Sequence, residues 1–226
     1  MYKYETHLHT SEGSACGVST GAEMARAHKE AGYDGIFVTD HFFNGNCAVP
    51  KDLPWEERID LFCLGYENAK KEGEKIGLDV WFGFEYGVHA MDFLCYGLDK
   101  DWLKAHPYID KINEHDAFAL MRADGGLVIQ AHPFRERDYI DHPEIYPRDV
   151  DGVEIVNAAQ HGQGVMNEMA AMYAKLYELP ITGGSDTHSK NILFGGGIYT
   201  EEKITCTADY KRLVKEYKVT PIVPNR

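Results

Sequence analysis

The sequence predicts an α/β fold, a TIM-like barrel of six or seven β/α units, on three observations. Short apolar β-like runs alternate with helical stretches along the whole chain of 226 residues. Five of those runs end on His, Asp or Glu: Tyr2 to Thr6 leads into His7-Leu8-His9-Thr10, Ile36 to Val38 into Thr39-Asp40-His41, Val80 to Phe82 into Gly83-Phe84-Glu85, Leu127 to Ile129 into Ala131-His132-Pro133, and Pro180 to Thr182 into Gly184-Ser185-Asp186-Thr187-His188. Polar groups collected at the C-terminal ends of successive strands are what a barrel places on its catalytic face.

The elements follow in order. After the first strand, the Gly/Ser-rich stretch from Ser11 to Val18 reads as a turn. Thr20-Gly21-Ala22-Glu23 has the form of a capping box and opens a helix with a small-residue face (Ala22, Met24, Ala25, Ala31), stopped by Gly32. Asp34 to Val38 is the second strand, parallel to the first through a right-handed crossover. A loop over 42–54 precedes one long helix from about Trp55 to Ile76, closed by Gly77. Leu78 to Glu85 and Asp92 to Tyr96 read as strands, with a hairpin around Gly87. Asp110 to Ala123 is helical and ends at Gly125-Gly126. Strands at 127–130 and 152–156, a helix at 165–178, strands at 180–183 and 196–200 and a helix at 208–217 complete one domain over 1–226.

Composition narrows the function classes. An apolar fraction of 44% supports a substantial core. A net charge of −13 argues against a long nucleic-acid partner, which demands a basic stripe. It suits a site for several cations, although solubility alone accounts for it equally well. The five cysteines are odd in number and form no C-x-x-C pair, so neither a disulfide framework nor a zinc ribbon is indicated. No basic-then-apolar leader and no run near the roughly 18 apolar residues of a membrane span is present, so a cytoplasmic protein without a membrane partner is expected.

The strand-end residues have a shared chemistry. On a strand, His7 and His9 at i, i+2 leave the same face, and Asp186 and His188 repeat that spacing near the far end of the chain. First and last strands are neighbours in a closed barrel, so the two pairs can face one another. Imidazoles with carboxylates suit zinc, manganese and iron. An unpaired Glu85 after two aromatics would be costly unless it met a cation. Of the 11 histidines, His28, His106, His115 and His142 sit in helix or loop contexts and read as ordinary core or surface residues.

These motifs, in their order, resemble those of the PHP (polymerase and histidinol phosphatase) superfamily, and they cover residues 7 to 188. The resemblance implies a distorted (β/α)7 barrel whose two or three divalent metal ions (Mn, Zn or Fe) hydrolyse phosphoesters. Matched residue by residue, it carries over His7, His9, His41, Glu85, His132, Asp186 and His188 as ligands. Two positions depart from the pattern. Where relatives have Asp or His shortly after the H-x-H, this chain has Ser14-Ala15-Cys16-Gly17, and Glu12 is the nearest carboxylate that could substitute, the alternative being a lost ligand. Where some relatives have a histidine after the strand following Glu85, this chain reads Tyr96-Gly97-Leu98-Asp99.

The function expected is hydrolysis of a phosphoester in a small phosphorylated metabolite, such as a nucleotide, a histidinol-phosphate-like compound or a sugar phosphate. Metal ions would activate the water, Asp186 would accept its proton and His188 would assist the leaving group. Arg135, just after His132-Pro133-Phe134, is the first candidate for gripping the phosphate, followed by Arg137 and His161, with Asn157, Gln160 and His89 as further polar candidates. Gly162-Gln163-Gly164 and Gly195-Gly196-Gly197 read as turns. Two rivals stand beside this reading: a C–N hydrolase of amidohydrolase type, which would usually show a lysine at a strand end, and a non-catalytic metal- or phosphate-binding protein.

Overall fold

The alternation of apolar runs and helices folds, in the computed structural model of residues 1–224, into one mixed sheet rolled to a nearly closed barrel. Its elements in chain order are β1 (Tyr2–Leu8), α1 (Gly21–Glu30), β2 (Gly35–Val38), α2 (Trp55–Phe62), α3 (Leu64–Ile76), β3 (Asp79–Val88) and β4 (Met91–Tyr96). There follow α4 (Lys100–Ala105), α5 (Glu114–Ala123), β5 (Leu127–Ala131), β6 (Gly152–Asn157), α6 (Met166–Leu176), β7 (Ile181–Gly184), β8 (Ile198–Thr200), α7 (Thr207–Lys215) and β9 (Val219–Pro221). The strand order is β7-β6-β5-β4-β3-β2-β1-β8-β9. Strands β1, β2 and β3 run parallel, as do β5, β6 and β7, while β4 is antiparallel to both of its neighbours.

Closure occurs where β7 returns to β1. Asp186 N–H donates to His7 O at 2.8 Å and His9 N–H donates to Thr187 O at 2.9 Å. Gly184 permits the approach, because a Cβ there would lie 2.4 Å from His7 Cβ and 2.5 Å from Glu154 Oε1. At the other end of β1, Tyr2 to Tyr4 pair instead with β8. The last strand of the parallel set therefore ends beside the first, which brings the two i, i+2 pairs together.

The N-terminal end of the barrel is filled with aromatics. Phe37 of β2 has Tyr210, Trp81 and Tyr96 ring centroids at 4.7, 5.0 and 5.3 Å. Helix α7 delivers Tyr210, Leu213 and Val214 to this cluster, where Tyr4 and Ile198 also lie. Burying so many large rings supplies much of the apolar stabilisation.

Local signals account for most boundaries. The Thr20–Glu23 capping box is present at α1, and Gly77 ends α3 at φ 68°, a conformation favouring glycine. The single helix expected over 55–76 is two helices, broken at Cys63. The break lets α2 turn Ile59 and Phe62 into the cluster of Phe42 and Phe43, while α3 lays Gly65 and Ala69 against α1. The hairpin turns at His89 and Ala90 (φ 48° and 65°), with Gly87 still inside β3. Helix α4, capped by Asp99, and the short β9 had no periodic signal long enough to read. No helix among the described residues is long and apolar enough to cross a membrane.

Candidate metal centre

The two imidazoles at the end of β1 are oriented by hydrogen bonds on their far sides. His7 Nδ1 meets Glu154 Oε1 at 2.9 Å, and His9 Nδ1 meets Ser14 Oγ at 3.0 Å. The Ser14 hydroxyl donates to Asp40 Oδ1 at 2.7 Å, so its oxygen is available to accept the His9 N–H. Each ring is thereby turned so that Nε2 faces inward, and the two Nε2 atoms stand 3.2 Å apart. A carboxylate or hydroxyl behind the far nitrogen is the usual way to set the tautomer of a metal-ligating histidine.

Around this pair the other strand ends converge. Glu85 Oε1 lies 3.2 Å from His7 Nε2 and 3.3 Å from His132 Nε2. Its Oε2 lies 2.6 Å from His41 Nδ1. Asp186 Oδ1 is 3.5 Å from His7 Nε2 and 3.3 Å from His9 Nε2. The His188 ring stacks on His9 at 4.3 Å, and its Nδ1 donates to Asp186 O at 3.0 Å. Four overlapping triads result, each with its ligand atoms within 4.8 Å of one another: His9/His41/His188, His7/Glu85/His132, His7/His9/Asp186 and His41/Glu85/Asp92. His132 and Asp186 sit at φ 28° and 55°, conformations uncommon for non-glycine residues and concentrated at functional sites.

Divalent cations fit this donor set. Glu85 Oε2 and His41 Nδ1 are buried and neither has a hydrogen-bond partner, although they face each other. The charge balance points the same way. Burial disfavours the charged imidazole of His7, yet Glu154 and Glu85 outweigh it and push its pKa up to about 10. His41 is likewise raised to about 11, burial being overcome by Glu85. Burial also opposes ionisation of Glu85, but His41 and His7 hold it well below the usual carboxylate range. The carboxylates thus demand positive charge at buried imidazoles, which cations can supply in place of protons.

Several residues of the site carried no clear sequence signal. Asp92, at the start of β4, is raised to about 6, first by burial and then by Glu85. It reaches the centre because β4 runs antiparallel, so this strand's beginning, rather than its end, lies beside Glu85. For the same reason the stretch Tyr96 to Asp99 is at the opposite end, where Gly97 adjoins Lys211 and Asp99 caps α4. Glu154 also accepts from His132 N–H at 3.1 Å and Asn157 Nδ2 at 3.0 Å. Asp40 accepts from Thr10 N–H and Thr10 Oγ1, both at 2.6 Å, and so ties the turn after His9 to β2.

Among the predicted substrate and ligand residues, Glu12 and His161 lie away from the cavities at the centre. Glu12 turns away from the centre: its carboxylate accepts from Gly21 N–H at 3.1 Å and Asn68 Nδ2 at 3.0 Å, at the positive N-terminus of α1. His161 lies beyond a single 3-10 turn (Ala158–Gln160) and is not among the residues lining the two cavities that reach the centre. Arg137 is exposed and bonds Glu136 O, though it lines one of those cavities. Arg135 lines both cavities, and its guanidinium pairs with Asp186. One cavity, about 430 Å³, is lined by Cys16, His41, Asp92, Arg135 and His188. The other, about 410 Å³, adds Arg137, Asp186, Ile192 and Phe194.

No family model matches the chain. An uncharacterized protein of Methanocaldococcus jannaschii is 29% identical over 157 residues, covering 70% of this chain and 76% of that protein. Among solved structures, a two-domain protein from Bacteroides vulgatus containing a predicted PHP-like metal-dependent phosphoesterase superposes with a TM-score of 0.71 at 17% identity. The match covers 99% of this chain and 65% of that one. The lesion-specific endonuclease EndoQ of Pyrococcus furiosus matches with a TM-score of 0.60 at 12% identity, over 95% of this chain and 56% of its own. This chain thus spans less than two thirds of either solved protein. The chain shares its fold, a nearly closed mixed α/β barrel, with these two solved structures.

Proposed function

We propose that the chain is a metal-dependent phosphoesterase acting on a small phosphorylated metabolite, such as a nucleotide, a histidinol-phosphate-like compound or a sugar phosphate. The observation that carries this reading is the set of four overlapping donor triads, which share His7, His9, His41 and Glu85 and open onto two cavities. His7, His9, His41, Glu85, His132, Asp186 and His188 would hold two or three divalent cations, manganese, zinc or iron, with Asp92 as an eighth donor. Bound there, such cations make water acidic enough to attack at neutral pH and neutralise phosphoryl oxygens.

The chain's own residues supply the rest. Arg135 lines both cavities and pairs with Asp186, so an entering phosphate would meet a guanidinium able to fork onto two of its oxygens. Asp186 accepts the proton of the attacking water at its carboxylate. His188 lines both cavities with its Nδ1 fixed on Asp186 O. Its Nε2 would hold a cation and assist the departing oxygen through that cation's charge, not by giving up a proton from the same nitrogen. Arg137 offers a second, solvent-facing cation for a further phosphate or carboxylate of the substrate. The net charge of −13 favours a small ligand over long nucleic acid.

The test is phosphate release from a panel of phosphomonoesters and phosphodiesters, short oligonucleotides included, with manganese-, zinc- or iron-loaded protein. Turnover of one class, abolished by chelator and in His9→Ala and Asp186→Ala, is the expected result. Metal-loaded protein that turned over none of them, or that cleaved amides instead, would sink the proposal.

A further inference from the structure

Helix α6 is apolar on both sides. Its inward residues Ala170, Tyr173 and Ala174 are buried with Val153 of β6, which accounts for its attachment to the sheet. On the outward side Val165, Met169, Met172 and Leu176 stay exposed, Met172 to 71% and Leu176 to 75%. Single exposed apolar side chains are normal on a surface. These four instead recur at intervals of four, three and four residues, the alternation that marks the seam of one helix lying along another. The helix is about 16 Å long, and the exposed Ile145 and Tyr177 beside it widen the patch. With Phe134 they border an open groove of about 680 Å³ along the stripe.

The charges beside the stripe say what covers it. Glu168 and Lys175 are exposed along one edge, one heptad apart, and among the described residues neither makes an ion pair. Opposite charges in that arrangement complement a second copy of the same helix laid antiparallel. About the two-fold axis Met169 meets Met172 of the partner subunit and Val165 meets Leu176 of the partner subunit. In the same register Glu168 meets Lys175 of the partner subunit, and every contact occurs twice. A parallel pair would face the two charges with Tyr173 and Pro180 of the partner subunit, neither of them charged. We propose that the outward face of α6 is a homodimer interface, an antiparallel helix pair with a methionine centre and two Glu168–Lys175 ion pairs at its edge. Methionine suits such a centre, because it is enriched in interface cores and repacks readily. The inference concerns a face apart from the metal centre and does not depend on the phosphoesterase reading.

Sedimentation equilibrium of the full chain tests this. The wild type is expected to dimerise with a Kd below about 0.1 mM. Met172→Glu sets a carboxylate against Met169 in both halves of the interface and should give a monomer. Its circular dichroism spectrum should match the wild type, since Met172 lies outside the core. Glu168→Lys and Lys175→Glu, each alone, bring like charges together twice and should raise the Kd roughly tenfold. The two combined should restore the wild-type Kd, a rescue that only self-pairing in this register produces. A wild type that stays monomeric at about 0.1 mM overturns the proposal, as does a dimer that survives Met172→Glu. A double variant no tighter than either single one overturns the antiparallel pairing, and the proposal with it.

Discussion

At the N-terminal end of the barrel, Phe37 is packed among Tyr210, Trp81 and Tyr96; at the C-terminal end, strands of the same sheet deliver His7, His9, His41 and Glu85. Both ends are buried, and they differ in how their polar atoms are satisfied. At the aromatic end each hydroxyl finds a partner: Tyr96 donates to Thr6 O at 2.7 Å, Tyr210 and Thr182 share a bond at 3.0 Å, and Tyr4 accepts from Ile204 N–H at 2.9 Å. At the histidine end, Glu85 Oε2 and His41 Nδ1 face each other at 2.6 Å in a geometry that makes no hydrogen bond. A buried polar atom left unpaired costs about 1–3 kcal/mol, more when charged, so one end contributes stability and the other gives some of it up. The difference separates a scaffold from a site prepared for a ligand.

The comparison can be broken most directly at the histidine end. His9→Ala is expected to lower phosphoester hydrolysis by roughly a thousandfold or more and to reduce metal content, while the metal-free protein keeps its denaturation midpoint. A large loss of metal-free stability would mean that His9 is a packing residue. At the aromatic end the opposite is expected. Phe37→Ala should cost about 3–5 kcal/mol in urea unfolding but leave the metal content per folded chain unchanged.

His28 sharpens the contrast, because it is a buried imidazole outside the centre. Burial drives its pKa down to about 4, only partly offset by its bond to Met24 O, whereas Glu154 and Glu85 drive that of His7 up. A depressed histidine is neutral in the fold and takes up a proton on unfolding between its folded value and about 6.5. Its contribution is therefore present above pH 6.5 or so and is lost as pH falls toward 4. The wild type should lose about 3 kcal/mol more than His28→Gln over that interval, measured by urea unfolding at both ends. Parallel pH profiles would show that His28 is not buried in neutral form.

Two smaller effects concern supporting carboxylates. Glu154→Gln should weaken metal binding about 10–100-fold, by calorimetry, without unfolding the chain, because it loosens the hold on His7 rather than removing a ligand. Glu12→Ala should cost about 0.3–1 kcal/mol of stability by uncapping α1 and leave metal affinity alone. A loss of bound metal in Glu12→Ala would return Glu12 to the centre.

Much of the frame was readable along the chain. Apolar runs ending on His, Asp or Glu announced strands with their polar ends on one face, and a closed barrel of those strands would set the two i, i+2 pairs facing each other. The residues that escaped notice share a cause. Asp92 was hidden because one antiparallel strand reverses which end of β4 faces the centre, and a strand's pattern carries no direction. Glu12 drew attention by nearness in sequence to His9, yet a helix N-terminus three-dimensionally closer to it claimed the carboxylate. The helix break at Cys63 depends on two different neighbours for α2 and α3, which no local periodicity encodes.

What the sequence determined by itself was the alternating architecture, the capping of α1 and the list of strand-end imidazoles, all of which follow from period, side-chain chemistry and short-range spacing. What only the tertiary structure decided was which groups meet: that Glu85 bridges His7, His41 and His132, that Glu154 stands behind His7, and that Asp40 holds Thr10 and Ser14. Those meetings depend on strand direction, on the closure of β7 against β1 and on a turn pinned by hydrogen bonds to residues far along the chain. Their energies are set by atoms that are neighbours in space and not in sequence.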